Sequence, residues 1–522
     1  MFGRRKNEVL YPWVGKLSIY ETIMQGVDTQ GRLTDDHLPD DEEYWAGHTM
    51  RWVAGGLDGA FGHHGAGGDG ETDKIKDMAQ LLSRQCRKPG MKTRRETYVR
   101  LMEENALSLI DPLLDAVREH PAIQPDRLYE EARWLAEHGA HRNVVKIGIA
   151  LLGLLETEQH HELLFTLAKH DEFTLYAAVA IRNISEQANE QLYRLASQVH
   201  GWGRIHVVER LEPARQEIRD WLLREGFRNN VMYEYLAYEC AHKGELHTAI
   251  AVPQIDQELF DGAGDILSAL LAAGGPAESI DDYEHAAMVI GNYLRHAKAM
   301  CTTVQHCTII MDIADFLDEE DDSWEARYEH EWTPELRKRY ASICQQMMDD
   351  PQWVKLVEQE MQHADSPHLH CAIRAARMLA LDVWPVLFDQ LSKYPVKPNL
   401  YFELIKTEDE QRARKLVTFA EKHLPLGEIA SGPADVPGFG TEYEAHQCLG
   451  MLLQLLSSYD GMGQELVAAG LWSPVTSNRR AALYVLKVWP SDMWGEETTE
   501  RLRRLSVAET EESIREQIRE IL

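Results

Sequence analysis

Cysteine is scarce in this chain and never clustered. Seven cysteines are spread over 522 residues, at Cys86, Cys240, Cys301, Cys307, Cys344, Cys371 and Cys448, and none forms a CxxC pair. An odd, scattered set excludes a disulfide framework and a zinc ribbon, and it suits a reducing cytosol. Basic residues are also in deficit: 54 Lys and Arg stand against 85 Asp and Glu, a net charge of −31. Such a field repels DNA, RNA and anionic membrane surfaces, which makes nucleic acid and membrane poor partners and leaves room for a basic protein partner. No run approaches the roughly 20 apolar residues that span a bilayer. The start, MFGRRKNEVLYPW, is basic but has no apolar core behind it, so no secretory signal is expected and the cytoplasm is the expected compartment.

Strand patterns are nearly missing. From about residue 76 one amphipathic helix follows another. DRLYEEARWLAEHG (126–139) puts Leu128, Ala132 and Leu135 on one face and stops at Gly139. RNVVKIGIALLGLLE (142–156) is apolar nearly all round, as expected of a helix buried on most sides. EPARQEIRDWLLREGF has Pro213 near its start and Gly226 past its end, and NNVMYEYLAYECAHKG offers Asn229 and Asn230 as caps and stops at Gly244. Short loops force successive helices antiparallel. The pattern predicts an all-α fold, an α-solenoid of HEAT or armadillo-like hairpins with degenerate repeats. Four stretches are expected: an irregular Gly/His-rich segment over 1–75; a first helical block over 76–250; a helical insertion and acidic connector over 251–332; and a second block over 333–522. DEEDDSWEARYEHEW (318–332) reads as the solvated connector, and AETEESIREQIREIL as a C-terminal cap.

The candidate sites are imperfect. GAGGDG (65–70) matches the glycine fingerprint of dinucleotide loops through Gly65, Gly67 and Gly70. That chemistry needs a strand before the loop, a helix after it, and an acidic residue about 20 positions on. HTMRWVAGGLDGAFGHH has two β-branched residues and four glycines, and residues 86–95 hold no Asp or Glu. NAD binding is therefore a minor alternative, and a glycine joint leading into the first helix is the expectation. His48, Asp58, His63, His64 and Asp69 form one conceivable metal group. His363, Asp365, His368 and His370, with Cys371, form a second that is compatible with zinc. Ser366 and Asp365 also suit ordinary helix capping. HELLF (161–165) begins like the zinc-protease HExxH but has Phe165 where the second histidine must stand.

FGTEYEAHQCLG (439–450) resembles the haem loop of cytochrome haem-thiolate monooxygenases through Phe439, Gly440, His446, Cys448, Leu449 and Gly450. It has two extra residues and lacks the loop's second glycine. An ExxR at Glu130–Arg133 lies far from the expected position. Haem is thus a second minor alternative, and the residues themselves imply no cofactor.

The expected binding surface centres on GWGRIHVVERLE. Ile205, Val208 and Leu211 serve the core, which leaves Arg204, His206, Glu209 and Arg210 on the other side. Trp202, Arg228, Asn229 and Tyr233 lie nearby. Arg, Trp and Tyr dominate interface hot spots, and a solenoid presents them along a concave face.

FGRRKNEVLYPWVGKLSIYE, RWVAGGLDGAFGHH, WGRIHVVERL and EIRDWLLREGFRNNVMYEYLAYECA resemble a group of helical-repeat proteins of bacilli and their relatives, some labelled limonene hydroxylase. The resemblance implies monoterpene oxygenation with alcohol dehydrogenase activity, and it carries no catalytic residue across. Oxygen insertion needs haem, flavin or non-haem iron. Two functions stand: a cytosolic scaffold binding a protein or peptide partner along its concave face, and a monoterpene-oxidising enzyme holding a small apolar ligand.

Overall fold

The computed structural model describes residues 11–48, 51–64, 72–155, 159–272, 274–320, 322–363 and 365–522. Among these residues the chain is all-α: helices follow one another throughout, and the only β pairings are isolated bridges at Val27 with Leu33 and Val436 with Val475. The chain forms two compact units, Met1–Cys301 with Ile309–Met347, and Thr302–Thr308 with Met348–Leu522.

In the first unit helical hairpins stack in series. Pro125–His138 pairs with Arg142–Leu152, His161–Leu167 with Asp171–Ile184, and Ala188–Ala196 with Trp202–Arg210. The second helices of these hairpins also pack on one another in order, beginning from Ala106–Glu119. This i, i+2 packing is what makes a solenoid, since each repeat finds its core only against its neighbours. The sequence shows why the first hairpin closes tightly. Leu128, Ala132 and Leu135 are buried as their spacing predicts, and Gly139 caps the helix. A Cβ at Gly148 would stand 2.8 Å from the Ala136 nitrogen, so glycine lets the two helices cross closely.

Within segments expected to be irregular or solvated, the described residues include helices. Residues 11–64 contain the helices Ile19–Gly26, Asp41–Tyr44 and Gly56–His64. Ile19–Gly26 starts with a capping box, Ser18 accepting from the Glu21 amide while Glu21 accepts from Ser18, and it packs on the first helices of two hairpins. The acidic stretch 318–332 is both solvated and anchored: Asp318, Glu319, Glu320, Asp322, Glu325, Glu329 and Glu331 are exposed as expected, while Trp324 and Trp332 are buried, and Arg327 stacks on Phe316 and Trp324 while pairing with Asp281 and Glu319. Each tryptophan buries a large apolar ring and pins the stretch, while the surrounding carboxylates stay in water. Asn229 is not a helix cap. Its side chain accepts from the Val231 and Met232 amides and forms a turn, and the next α-helix, Ala237–Lys243, follows a short 3-10 turn.

The second unit repeats the stacking scheme. Gln352–Glu360 pairs with Leu369–Met378 and Trp384–Lys393 with Pro398–Leu404, and the helices from Glu444–Leu456 to Glu512–Ile521 stack in overlapping pairs. Arg479 is wholly buried with Glu509, and its guanidinium also donates to the carbonyls of Ala434, Ser473 and Pro474.

Candidate functional site

The second helices of the first unit line a groove of about 480 Å³. Its walls differ in origin but not in character. Ala106–Glu119 contributes Leu107, Ile110 and Leu114, and Asp171–Ile184 contributes Leu175, Tyr176 and Val179. Ala150, Gly153 and Ala180 form the floor between them. Leu175, Val179 and Asn183 recur at every fourth position, so one face of one helix supplies them all. The floor is low because the helices meet there: a Cβ at Gly153 would lie 2.9 Å from the Ala180 Cα. Charged groups stand at the rim, with Asp111, Asp115 and Arg118 from the first helix and Arg210 from the last.

Beneath the groove lies a buried ionic network that composition and periodicity do not reveal. Arg142 and Lys146 begin the helix read from sequence as apolar nearly all round, and both are buried. Their partners are Asp40, Asp41 and Asp58 from the N-terminal segment and Glu172 from within the stack. Arg142 bonds Asp40 by its backbone amide at 2.7 Å and by its guanidinium, which also reaches Asp41 and lies 4.0 Å over the Tyr44 ring. The Lys146 ammonium donates to Asp58 at 2.6 Å and to Glu172 at 2.5 Å. The Gly55 amide donates to the second Glu172 oxygen at 3.0 Å, and the Tyr176 phenol donates to Asp58 at 2.7 Å.

Burial in this network raises the cost of every unpaired charge, and pairing decides each titration. Burial works against the ionised Glu172, but Lys146 and Arg142 hold its carboxyl down to about 2. Burial pushes Lys146 down, and Glu172 and Asp58 outweigh it, so the ammonium stays protonated well above its ordinary range. The neighbouring Asp171 has no ion pair among the described residues. Burial lifts its carboxyl to about 7, with a further push from Asp36, although the Gly203 and Gly201 amides act to lower it. Asp58, a conceivable metal ligand by sequence, is thus an ion-pair partner of Lys146.

Two glycines of RWVAGGLDGAFGHH have a packing role. Gly55 has φ +69°, and a Cβ there would meet the Asp171 carbonyl at 2.6 Å. A Cβ at Gly59 would stand 2.1 Å from the Trp202 ring. The segment before GAGGDG is therefore a helix that rides on Trp202, not the strand that a dinucleotide loop requires. Gly65, Gly67 and Gly70 themselves lie outside the described residues.

The residues expected to form a binding surface separate. Trp202, Arg204 and His206 are buried, contrary to their expected outward placement. Arg204 is held inside because its guanidinium caps the carbonyls of Ala196, Val199, Glu225 and Arg228 at 2.7–3.2 Å. Trp202 lies beside Tyr235, with ring centroids 4.9 Å apart. Glu209 pairs with Arg210, and of the expected residues Arg210 alone lines the groove. Arg228 pairs with Asp265, Asn229 is engaged in its turn, and Tyr233 packs edge-on against Phe227. The apolar groove wall carried a sequence signal, the spacing 107, 110, 114 and 175, 179, but that spacing equally marks a buried face.

The zinc-compatible cluster does not converge. Asp365 pairs with Lys397 at 2.9 Å, His370 lies 3.2 Å from the Cys371 sulfur, and His363 and His368 flank the turn before Leu369–Met378. Among the described residues no group of three His, Cys, Asp or Glu is placed to hold a metal ion. Cys448 lies wholly buried within Glu444–Leu456, and burial pushes its thiol up to about 12. His446, beside it, contacts the Ser473 hydroxyl at 3.2 Å.

No family model matches the chain, and no curated protein does. Among solved structures, an engineered protein is similar over 86% of this chain and 98% of its own, at 13% identity and a TM-score of 0.21, too low to bear on fold or function.

Proposed function

We propose that the chain is a helical-repeat scaffold that binds a segment of a protein partner in the groove of its first unit. One observation carries the reading. Successive second helices, from Ala106–Glu119 to Trp202–Arg210, present one hollow with an apolar floor and a charged rim, and Val179 stands 41% exposed within it. A concave, mostly apolar hollow with a few polar groups is where binding is expected by default. A stack of helices supplies such a surface without any catalytic apparatus.

Photo-crosslinking tests the proposal. A benzophenone side chain is placed at Val179, and for comparison at Val507, which is 88% exposed on the second unit. Discrete adducts at position 179 and none at 507 are expected in cells. Equal labelling at both positions, or none at 179, would overturn the proposal. Titration with limonene is the matching control. Saturable binding that Val179→Asp abolishes would reassign the groove to a small apolar ligand, the substrate class implied by the sequence resemblance.

A further inference from the structure

Resting on that reading of the groove, the geometry points to the kind of segment it takes: a peptide that inserts one bulky apolar side chain and carries basic residues beside it.

The anchor follows from the floor. Ala150, Gly153 and Ala180 have almost no side chain, whereas the walls carry Ile110 and Leu114 on one side and Leu175 and Val179 on the other. Small residues below and branched residues on both sides leave a trough that a single large side chain fills. The close approach at Gly153 and Ala180 fixes its depth, since no larger residue fits between those helices. Tyr176 adds a ring but no free donor, because its phenol is committed to Asp58. Recognition at the floor is therefore by shape and apolar contact.

The basic flank follows from how the rim charges are already used. Arg118 pairs with Asp115 at 2.8 Å. Arg210 pairs with Glu209 and donates to the His206 carbonyl. Both rim cations thus have internal partners. Asp111 is exposed and has no ion pair among the described residues. It sits in the field of a chain with net charge −31, which attracts a cationic segment and repels an acidic one.

Selection of a phage-displayed library of random 16-residue peptides on the full chain tests this. Enriched peptides are expected to share a Leu, Phe or Trp with Lys or Arg within a few positions. A synthetic copy of one should lose at least tenfold in affinity to Ala150→Leu, which fills the trough, and to Val179→Asp at the exposed wall. It should weaken by a similar factor on Asp111→Lys or between 50 and 500 mM salt, and be indifferent to Val507→Asp. Circular dichroism and melting curves establish that each variant is folded; Val179→Asp, at an exposed position, keeps the test open if Ala150→Leu is not. Peptides that respond to Val179→Asp yet are acidic, or ignore salt and Asp111→Lys, would overturn the basic-segment inference and leave the groove standing. Peptides indifferent to Ala150→Leu and Val179→Asp, or no enrichment over bare support, would overturn both.

Discussion

Tyr176 donates its phenol to Asp58 at 2.7 Å across 118 positions of sequence. The same tyrosine forms part of the groove wall. One residue therefore belongs both to the candidate binding surface and to the buried network that ties Asp40, Asp41 and Asp58 to the hairpin stack.

Replacing Lys146 by Met should be among the most damaging single changes in the first unit. It leaves Asp58 and Glu172 buried without the cation that both contact. Orphaning a buried charge partner costs about 3–5 kcal/mol. Lys393→Met removes an exposed pair with Asp389 and should cost no more than about 0.5 kcal/mol. Urea unfolding followed by tryptophan fluorescence compares the two variants.

Gly59→Ala should loosen the segment that carries it. Its new methyl would stand 2.1 Å from the buried Trp202 ring, and overpacking of that kind costs about 1–3 kcal/mol. Gly62→Ala, with nothing within 4 Å, is the control. Hydrogen exchange over residues 19–64 should rise in the first variant and not in the second.

Asp171 and Glu172 should pull stability in opposite directions with pH. The Asp171 carboxyl is raised from 3.8 to about 7. Its contribution is full below pH 3.8 and is lost as pH rises through 7. Glu172 is lowered from 4.5 to about 2, so its contribution is full above 4.5 and is lost as pH falls towards 2. Of these two carboxyls, only Asp171 titrates between about pH 5.5 and 8.5. Asp171→Asn should remove a decline in the urea midpoint over that interval; an unchanged decline would show that another group causes it.

Cys448 should resist alkylation. Its thiol is buried and pushed up to about 12, so almost none is thiolate at pH 7.5. Mass spectrometry after iodoacetamide treatment should find it unmodified in the folded chain and modified after urea.

Much of the fold was legible because helices advertise themselves locally. Leu128, Ala132 and Leu135 are buried where a 3.6-residue period puts them. The acidic stretch 318–332 was half legible: its carboxylates are exposed as its charge implies, whereas two tryptophans decide its packing. Arg204 misled. An arginine opposite an apolar stripe reads as exposed, yet here it closes over four backbone carbonyls.

The sequence by itself determined that the chain is helical, that its helices pair through short loops, and that its field is acidic. Each follows from spacing, turn residues or summed charge, which no distant contact can alter. Only the tertiary structure decided where the polar groups end their search for partners. Lys146 lies 88 positions from Asp58 and 26 from Glu172, and no local pattern couples them. The stacking of second helices likewise turned an ordinary apolar face at Leu175 and Val179 into the wall of a groove. A helix records which of its faces is apolar; what covers that face depends on neighbours that the local sequence does not specify.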